Sequence, residues 1–256
     1  MRQKFIDKVV LITGGAGGAG RAASLRFFHE GAAVIILDVQ VEAGRRLEKE
    51  IASAGGQALF IETDVSNAVS VTQAVTKALK MFGKIDILFN HAGILLVKPF
   101  LETTEAEWDR LMAVNVKSMF LVSKAILPTM LKAGRGVLIN TASISGTTAA
   151  PMESAYCVTK GAVLQLTRAI AVEFRDRGIR CNAISPGFIR TPHGLREMEE
   201  CTALGVDFSE GDMEKVQGRF CEPEEIASVA VFLASDDASF VNGASIAVDN
   251  TWTAAT

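Results

Sequence analysis

The sequence predicts a single-domain α/β protein with a doubly wound, seven-stranded parallel sheet and helices on both faces. Short apolar runs rich in β-branched residues alternate with amphipathic stretches along almost the whole chain. The 256 residues, 49% of them hydrophobic, are enough to bury the core of one large α/β domain. No stretch rich in Pro, Gly or Ser divides the chain, so residues 1–256 are predicted to form one domain.

The strands and helices are predicted from the alternation itself. The strands are VVLIT (9–13), AVIIL (33–37), ALFIE (58–62), IDILF (85–89), GVLIN (136–140), RCNAI (180–184) and SIAV (245–248). The helices cover about 19–30, 41–54, 67–82, 105–133, 154–177 and 223–234. Because helices lie between successive strands, the connections are βαβ crossovers, which give a parallel sheet covered on both faces.

One segment, residues 190–219, breaks the alternation. It is polar, with seven acidic and four basic residues, and at thirty residues it is too long for an ordinary connection. We predict a substrate lid here; the alternative is a solvated insertion with a helix or two. The candidate apolar contacts of the lid are Leu195, Met198, Leu204 and Phe208.

Composition and charge exclude several classes of protein. The net charge of −3 gives no basic surface for nucleic acid, and no apolar run approaches the roughly 20 residues that span a bilayer. The first residues lack the apolar region of a signal peptide, so a cytoplasmic protein is expected. The four cysteines lie at least twenty residues apart and the three histidines are isolated, which favours free thiols and predicts no metal site.

A glycine-rich turn, TGGAGGAG at 13–20, lies between the first strand and the first helix. Glycines there let the backbone turn tightly beside a pyrophosphate, and the helix N-terminus offers unpaired N–H groups to its charge. Asp38 ends the second strand, eighteen residues after Gly20, where its carboxylate would accept both ribose hydroxyls and repel a 2′-phosphate. The pattern therefore predicts NAD as the cofactor, although Asp38 read alone is compatible with an ordinary polar strand end.

Polar groups also follow the third and fourth strands, at Asp64 in ETDV and at Asn90 to Gly93 in NHAG. Each could be turn chemistry alone, but in series they describe one crevice at the carboxyl edge of the sheet. A methyltransferase shares the glycine-rich loop and the acidic second strand end. It does not predict the residues that follow.

The only tyrosine of the chain, Tyr156, lies four residues before Lys160 and thirteen after Ser143. Positions i and i+4 of a helix share one face, so the phenol and the ammonium are expected to point into the same space. A tyrosine with a pKa near 10 is a poor base at neutral pH, and a neighbouring positive charge favours the phenolate. The predicted chemistry is proton transfer by Tyr156, with Ser143 stabilising charge on a substrate oxygen.

The ordered motifs resemble the short-chain dehydrogenase/reductase family over nearly the whole chain. They are TGxxxGxG (13–20), Asp38, Asp64-Val65, NxAG (90–93), Asn115, Ser143, YxxxK (156–160) and PGFIRT (186–191). The resemblance implies a Rossmann-type NAD(H)-dependent oxidoreductase that interconverts a secondary alcohol and a ketone, with Asn115, Ser143, Tyr156 and Lys160 as catalytic residues. It also implies a homotetramer. An alternative is a nucleotide-binding sensor of the same fold without turnover.

The resemblance further assigns the residues that would contact the cofactor. Lys160 binds the nicotinamide ribose, Asn115 holds a water that links the lysine to solvent, and Ile189 and Thr191 contact the carboxamide. The full expected set is Gly14, Gly17, Gly18, Ala19, Gly20, Asp38, Val39, Asp64, Val65, Asn90, Ala92, Gly93, Tyr156, Lys160, Pro186, Gly187, Ile189 and Thr191.

Four places depart from the family pattern. Ala19 stands where isoleucine is frequent, His91 replaces a common asparagine, and Ala142 replaces a common serine. The last strand ends VDNT (248–251) where relatives often read VDGG. The substrate and the physiological direction of the reaction stay open at this point.

Overall fold

The computed structural model describes residues 3–206 and 209–255 and contains one seven-stranded sheet. All neighbouring strands are parallel, in the order β3-β2-β1-β4-β5-β6-β7. Their bounds are Val9–Thr13, Ala33–Asp38, Ala58–Glu62, Ile87–Asn90, Gly136–Thr141, Ile179–Pro186 and Ser245–Val248 for β1 to β7. The predicted doubly wound sheet is confirmed.

Nine helices are assigned in the described part of the chain. Their bounds are Gly18–His29, Val41–Ser53, Ala68–Phe82, Glu105–Met112, Ser118–Ala133, Ser154–Phe174, Pro192–Ala203, Glu210–Gln217 and Pro223–Ala234 for α1 to α9. The single helix predicted over 105–133 is α4 and α5 joined by a π-helical turn, Ala113–Lys117. Such turns recur at functional sites, and this one contains Asn115.

The sheet is buried on both faces, which explains why its strands read as continuous apolar runs. Val10, Ile12 and Ile36 point to the face covered by α1 and α9. Leu11 and Ile35 point to the opposite face, where α3 and α5 pack. Parallel strands with this double burial place all their carboxyl ends at one edge.

The strand order reverses between β1 and β4, because β2 and β3 lie on one side of β1 and the later strands on the other. Ligands bind open α/β sheets at such a point, outside the carboxyl ends of the strands. Thr13, at the end of β1, fixes the crevice there: its Oγ1 accepts hydrogen bonds from the backbone N–H groups of His91 at 3.0 Å and Ala92 at 3.1 Å. The predicted crevice therefore lies between β1 and β4.

The 190–219 segment folds mainly into α7 and α8. Of its four candidate apolar contacts, Leu195 and Leu204 are exposed, and Phe208 lies outside the described residues. Met198 packs into a separate cluster with Phe188, Met213 and Phe220. The lid stays a prediction, but the three described apolar contacts proposed for it, Leu195, Met198 and Leu204, do not line the cavity at the crevice.

The helical stretch 105–133 is long and apolar enough, by length and composition alone, to cross a membrane. In the structure, Val122, Ile126 and Met130 of this stretch are buried against the sheet. Its apolar composition is thus accounted for by packing in the protein core.

Candidate active site

A cavity of about 960 Å³ opens at the carboxyl edge of the sheet, beside the point where the strand order reverses. This volume is at the upper end of the usual range for small-molecule sites, roughly 300–1,000 Å³. It brings together most of the residues that the sequence predicted, namely Gly14, Gly17, Gly18, Ala19, Asp38, Val39, Asp64, Val65, Ala92, Gly93, Ser143, Tyr156, Lys160, Pro186, Gly187, Ile189 and Thr191. Gly20, Asn90 and Asn115 do not line it.

The glycine-rich turn approaches its surroundings so closely that side chains would not fit. Gly14 has a φ of +66°, and a Cβ there would lie 2.9 Å from the Cα of Ala92. A Cβ on Gly20 would lie 2.0 Å from the carbonyl oxygen of Gly14. Gly20 is therefore needed for packing α1 against the turn; it does not line the cavity, and its contact with the cofactor stays a prediction.

Gly17 and Gly18 give this end of the cavity its fit to a phosphate group. Gly17 occupies the N-cap of α1 without a capping side chain, and Gly18 follows with a φ of +47°. The first-turn N–H groups of α1 are thus left to a ligand or water. These residues fit the pyrophosphate of a dinucleotide cofactor.

Asp38 is held rigidly at the end of β2. Its two carboxylate oxygens accept hydrogen bonds from the backbone N–H groups of Ala16 and Gln40, each at 3.0 Å. The residue is only 6% exposed, yet it lines the cavity. A carboxylate oriented in this way retains lone pairs for the hydroxyls of a ribose.

Asn90 ends β4 as predicted, but its side chain turns away from the cavity. Its Nδ2 donates to Ser123 Oγ at 3.2 Å and to Asn140 Oδ1 at 3.0 Å, both in the buried space between β4, β5 and α5. The alternation of side chains along the strand places this one toward α5. In this structure the Asn90 side chain fixes neighbouring strand ends, and its contact with the cofactor stays a prediction.

Tyr156, Lys160 and Ser143 converge at the other end of the cavity. Tyr156 and Lys160 share one face of α6, and the Lys160 Nζ lies 5.4 Å from the centre of the tyrosine ring. This ammonium also donates to the backbone oxygen of Thr141, at the end of β5, at 3.0 Å. Ser143 lies two residues further on, and its Oγ accepts from the Ser145 N–H at 3.1 Å.

The electrostatics of this end differ from what the sequence alone suggests. Burial raises the pKa of Tyr156 well above its ordinary value, and Glu197 and Glu153 raise it further. A side-chain hydrogen bond with Ser143 opposes this rise. Burial lowers the pKa of Lys160 to about 8. The chain itself thus favours the protonated phenol. The predicted lowering of the Tyr156 pKa by a positive neighbour therefore depends on the cationic ring of a bound cofactor.

Asn115 is fully buried within the π-helical turn and lies outside the cavity lining. Its Oδ1 accepts from the Ile94 N–H at 2.8 Å, and its Nδ2 donates to the Ile94 carbonyl at 2.9 Å and to Thr159 Oγ1 at 3.1 Å. These bonds tie the chain after β4 to the helix that carries Tyr156. The water relay implied for Asn115 stays a prediction.

His91, which stands where the family often has asparagine, lines the cavity. Its Nδ1 lies 3.0 Å from the Thr141 hydroxyl, and burial and then Lys160 lower its pKa to about 3. The ring is therefore neutral at physiological pH. In the 251 residues that the structure describes, no group of three His, Cys, Asp or Glu residues is arranged to hold a metal ion.

Several lining residues were missed by the sequence analysis. Glu153 is the N-cap residue of α6, His193 and Glu197 belong to α7, and Trp252 and Thr253 follow β7. The predicted lid therefore contributes polar groups to the cavity, where apolar ones were expected. For Trp252 a signal existed, because it follows the departure VDNT.

That departure has a structural consequence. Asn250 and Thr251 adopt φ values of +42° and +77°, the left-handed region that favours the glycines frequent in relatives. The turn brings Trp252 onto Phe188, with ring centres 5.8 Å apart and stacked. Thr251 thus adopts a backbone conformation that is unfavourable for threonine, next to Trp252, whose side chain lines the cavity.

Comparison with known proteins agrees with these motifs. A family model described as "Enoyl-(Acyl carrier protein) reductase" matches residues 14–253. Cyclopentanol dehydrogenase of Comamonas testosteroni is 39% identical over 248 residues, which cover 97% of this chain and 98% of that protein.

Two solved structures show the same architecture. Levodione reductase has a TM-score of 0.95 at 36% identity, covering 99% of this chain and 100% of that one. NAD⁺-bound xylitol dehydrogenase has a TM-score of 0.93 at 32% identity, covering 96% of this chain and 99% of that one. Because the family model matches residues 14–253, nearly the whole of this chain, the chain belongs to the short-chain dehydrogenase/reductase family of oxidoreductases.

Proposed function

We propose that this protein is an NAD(H)-dependent dehydrogenase that interconverts a small, neutral secondary alcohol and its ketone. The observation that carries the proposal is that Asp38 and the glycine-rich turn line the same cavity as Ser143, Tyr156 and Lys160. A nucleotide end and a proton-transfer end in one cavity are what alcohol oxidation by hydride transfer requires.

Three side chains perform the proton chemistry in this proposal. Ser143 donates a hydrogen bond to the substrate oxygen and orients it toward Tyr156. Tyr156 takes the hydroxyl proton during oxidation and returns it during reduction. The bound nicotinamide supplies the hydride acceptor. Lys160, held by the Thr141 carbonyl at 3.0 Å, keeps positive charge beside the phenol and binds the nicotinamide ribose.

NAD is proposed over NADP because of Asp38. The buried carboxylate, fixed by two backbone N–H groups, would face the 2′-phosphate of NADP and repel it. Arg21, which lies just after the glycine-rich turn, is paired with Glu50 at 2.8 Å. The likeness to the NAD⁺-bound xylitol dehydrogenase supports the same choice.

A neutral substrate is proposed because the substrate end of the cavity carries carboxyl groups from Glu153 and Glu197. These groups would repel an anionic carrier such as the one in the name of the family model. The similarity to cyclopentanol dehydrogenase supports a small alcohol.

Three further features belong to the proposal. The 190–219 segment acts as a lid that excludes water from the hydride path. The protein assembles as a homotetramer, supported by the exposed apolar side chains of Phe120, Val158, Val172 and Phe240. It works in the cytoplasm, where its four free cysteines would stay reduced.

The test is a panel of secondary alcohols with NAD⁺, in which the absorbance of the reduced cofactor is followed. Turnover of at least one small neutral alcohol is expected. Tight NADH binding without turnover of any alcohol or ketone would instead support a nucleotide-binding sensor.

A further inference from the structure

Two carboxyl groups lie side by side in the substrate end of the cavity. Glu153 is only 3% exposed and lies three residues before Tyr156. Glu197 comes from α7, lines the same cavity, and shares a hydrogen bond with Glu153. Two carboxyl groups can share a hydrogen bond only when at least one of them holds a proton. The pair therefore offers both a donor and free acceptor oxygens to the cavity.

Folding does not account for this pair. Glu153 occupies the N-cap position of α6, but its side chain makes no capping hydrogen bond. Its contact with Ser145 Oγ is long, at 3.5 Å. In the ranges 3–206 and 209–255, neither carboxyl forms an ion pair, although burying such groups opposes folding. Residues that are buried at a cost inside a binding cavity are candidates for ligand recognition.

We propose that the Glu153–Glu197 pair binds a second hydroxyl group of the substrate, so that the enzyme prefers diols to mono-alcohols. The proposal rests on the proposed function, because it assigns a substrate class to that same cavity. In a diol, the reacting hydroxyl lies at Ser143 and Tyr156, and the second hydroxyl lies at the carboxyl pair.

The chemistry of the surroundings favours a hydroxyl over a charged group. A hydroxyl both donates and accepts, which matches a carboxyl pair that holds a proton. An anion would be repelled by the carboxylate. An ammonium group would lie near Lys160, which acts electrostatically on Glu197 and would repel a second positive charge.

The experiment compares cyclopentanol with 1,2-cyclopentanediol, which differ by one hydroxyl on the same ring. For the wild-type enzyme with saturating NAD⁺, kcat/KM for the diol is expected to exceed that for cyclopentanol by about tenfold or more, as expected for a hydrogen bond to an ionised group. Most of this difference should lie in KM. Glu197→Gln and Glu153→Gln should each reduce the preference, and Glu197→Leu should abolish it.

A matched control is Glu199→Gln, which removes the same charge from the exposed face of the same helix. It should keep the diol preference. Equal efficiency for both substrates in the wild type, or an unchanged preference in Glu197→Leu, would overturn the proposal while leaving alcohol dehydrogenation intact. A stronger preference for 2-aminocyclopentanol would overturn it in favour of an ammonium site.

Infrared spectroscopy gives a readout that does not depend on turnover. The wild-type enzyme with NADH should show a protonated-carboxyl band that shifts when the diol is added and does not shift with cyclopentanol. Glu197→Gln should lack the shift. A band that responds equally to both alcohols would contradict recognition of the second hydroxyl, and thermal unfolding of each variant separates lost binding from lost folding.

Discussion

The two ends of the cavity are built in different ways. The nucleotide end is formed mainly by backbone atoms. The glycine-rich turn shapes its surface, and the N–H groups of Ala16 and Gln40 each donate a hydrogen bond of 3.0 Å to the Asp38 carboxylate. The substrate end is formed by side chains, which come from α6, α7 and the turn after β7. The first end is local in sequence, whereas the second joins segments about one hundred residues apart.

This difference predicts a division of labour. Changes at the nucleotide end should alter cofactor choice and leave substrate choice alone, because Asp38 and the glycine-rich turn are assigned to the cofactor. Changes at the substrate end should alter proton transfer and alcohol preference while leaving dinucleotide binding. Tyr156 and Lys160 lie where the two ends meet, so their loss should have the largest effect.

Tyr156→Phe should lower turnover by roughly 10²–10⁴-fold, because it removes the proton-transfer group and keeps the ring. NADH binding, followed by fluorescence, should remain near the wild-type level. Lys160→Met should impair both turnover and NADH binding, because Lys160 is assigned to the phenol and to the ribose. Wild-type turnover in Tyr156→Phe would contradict the assignment of proton transfer to Tyr156.

Asp38→Ala should narrow the preference for NAD over NADP by about tenfold to a hundredfold, in line with the loss of interactions to an ionised group. The KM for alcohol at saturating NAD⁺ should change little. Glu62→Gln is the matched control, since Glu62 pairs with Asp38 in register but is exposed. If both variants changed the cofactor ratio equally, general surface charge would explain the preference.

Glu197→Gln should move the pH profile of alcohol oxidation to lower pH. Burial and then the Glu197 carboxyl raise the pKa of Tyr156, so neutralising Glu197 lowers it. Oxidation needs the phenolate and rises with pH through this pKa, whereas reduction needs the phenol and falls through it. Both limbs should therefore move down together in pH-rate profiles. A shift to higher pH would show that the carboxyl does not act on Tyr156.

Thr251→Gly should stabilise the fold slightly, by about 1 kcal/mol, because glycine relieves the positive φ of +77°. The measurement is the free energy of unfolding in urea. Ala255→Gly, at a φ of −94°, is the control and should not stabilise. A destabilised Thr251→Gly would mean that its side chain supports the turn carrying Trp252.

The same division explains what the sequence could predict. The predicted strand ends all lie within two residues of the observed ones, because double burial makes each strand a continuous apolar run. Asp38 was found because its chemistry follows from its place at a strand end. Asn90 was also placed at a strand end, but the pleat of β4 turns its side chain inward to Ser123 and Asn140. The spacing of residues in the sequence does not show which way the Asn90 side chain points.

Glu197 shows the opposite limit. The polar composition of the 190–219 segment predicted an unusual connection, but the face that α7 presents to the cavity depends on how Met198 packs against Phe188 and Met213. A motif could not indicate this, because the packing partners lie outside the segment or in another helix. No pattern in the sequence indicated Glu153 either, because its burial arises only when the chain folds around the cavity.

The most direct test of the account is an ultraviolet titration of the phenol, since Tyr156 is the only tyrosine in the chain. We predict that without cofactor the phenolate forms only above the ordinary pKa near 10, because burial and the Glu197 and Glu153 carboxyls oppose it. With saturating NAD⁺ the transition should move to lower pH, and in Lys160→Met this shift should be smaller. A phenolate that forms at or below pH 10 without cofactor and does not respond to NAD⁺ would contradict the account.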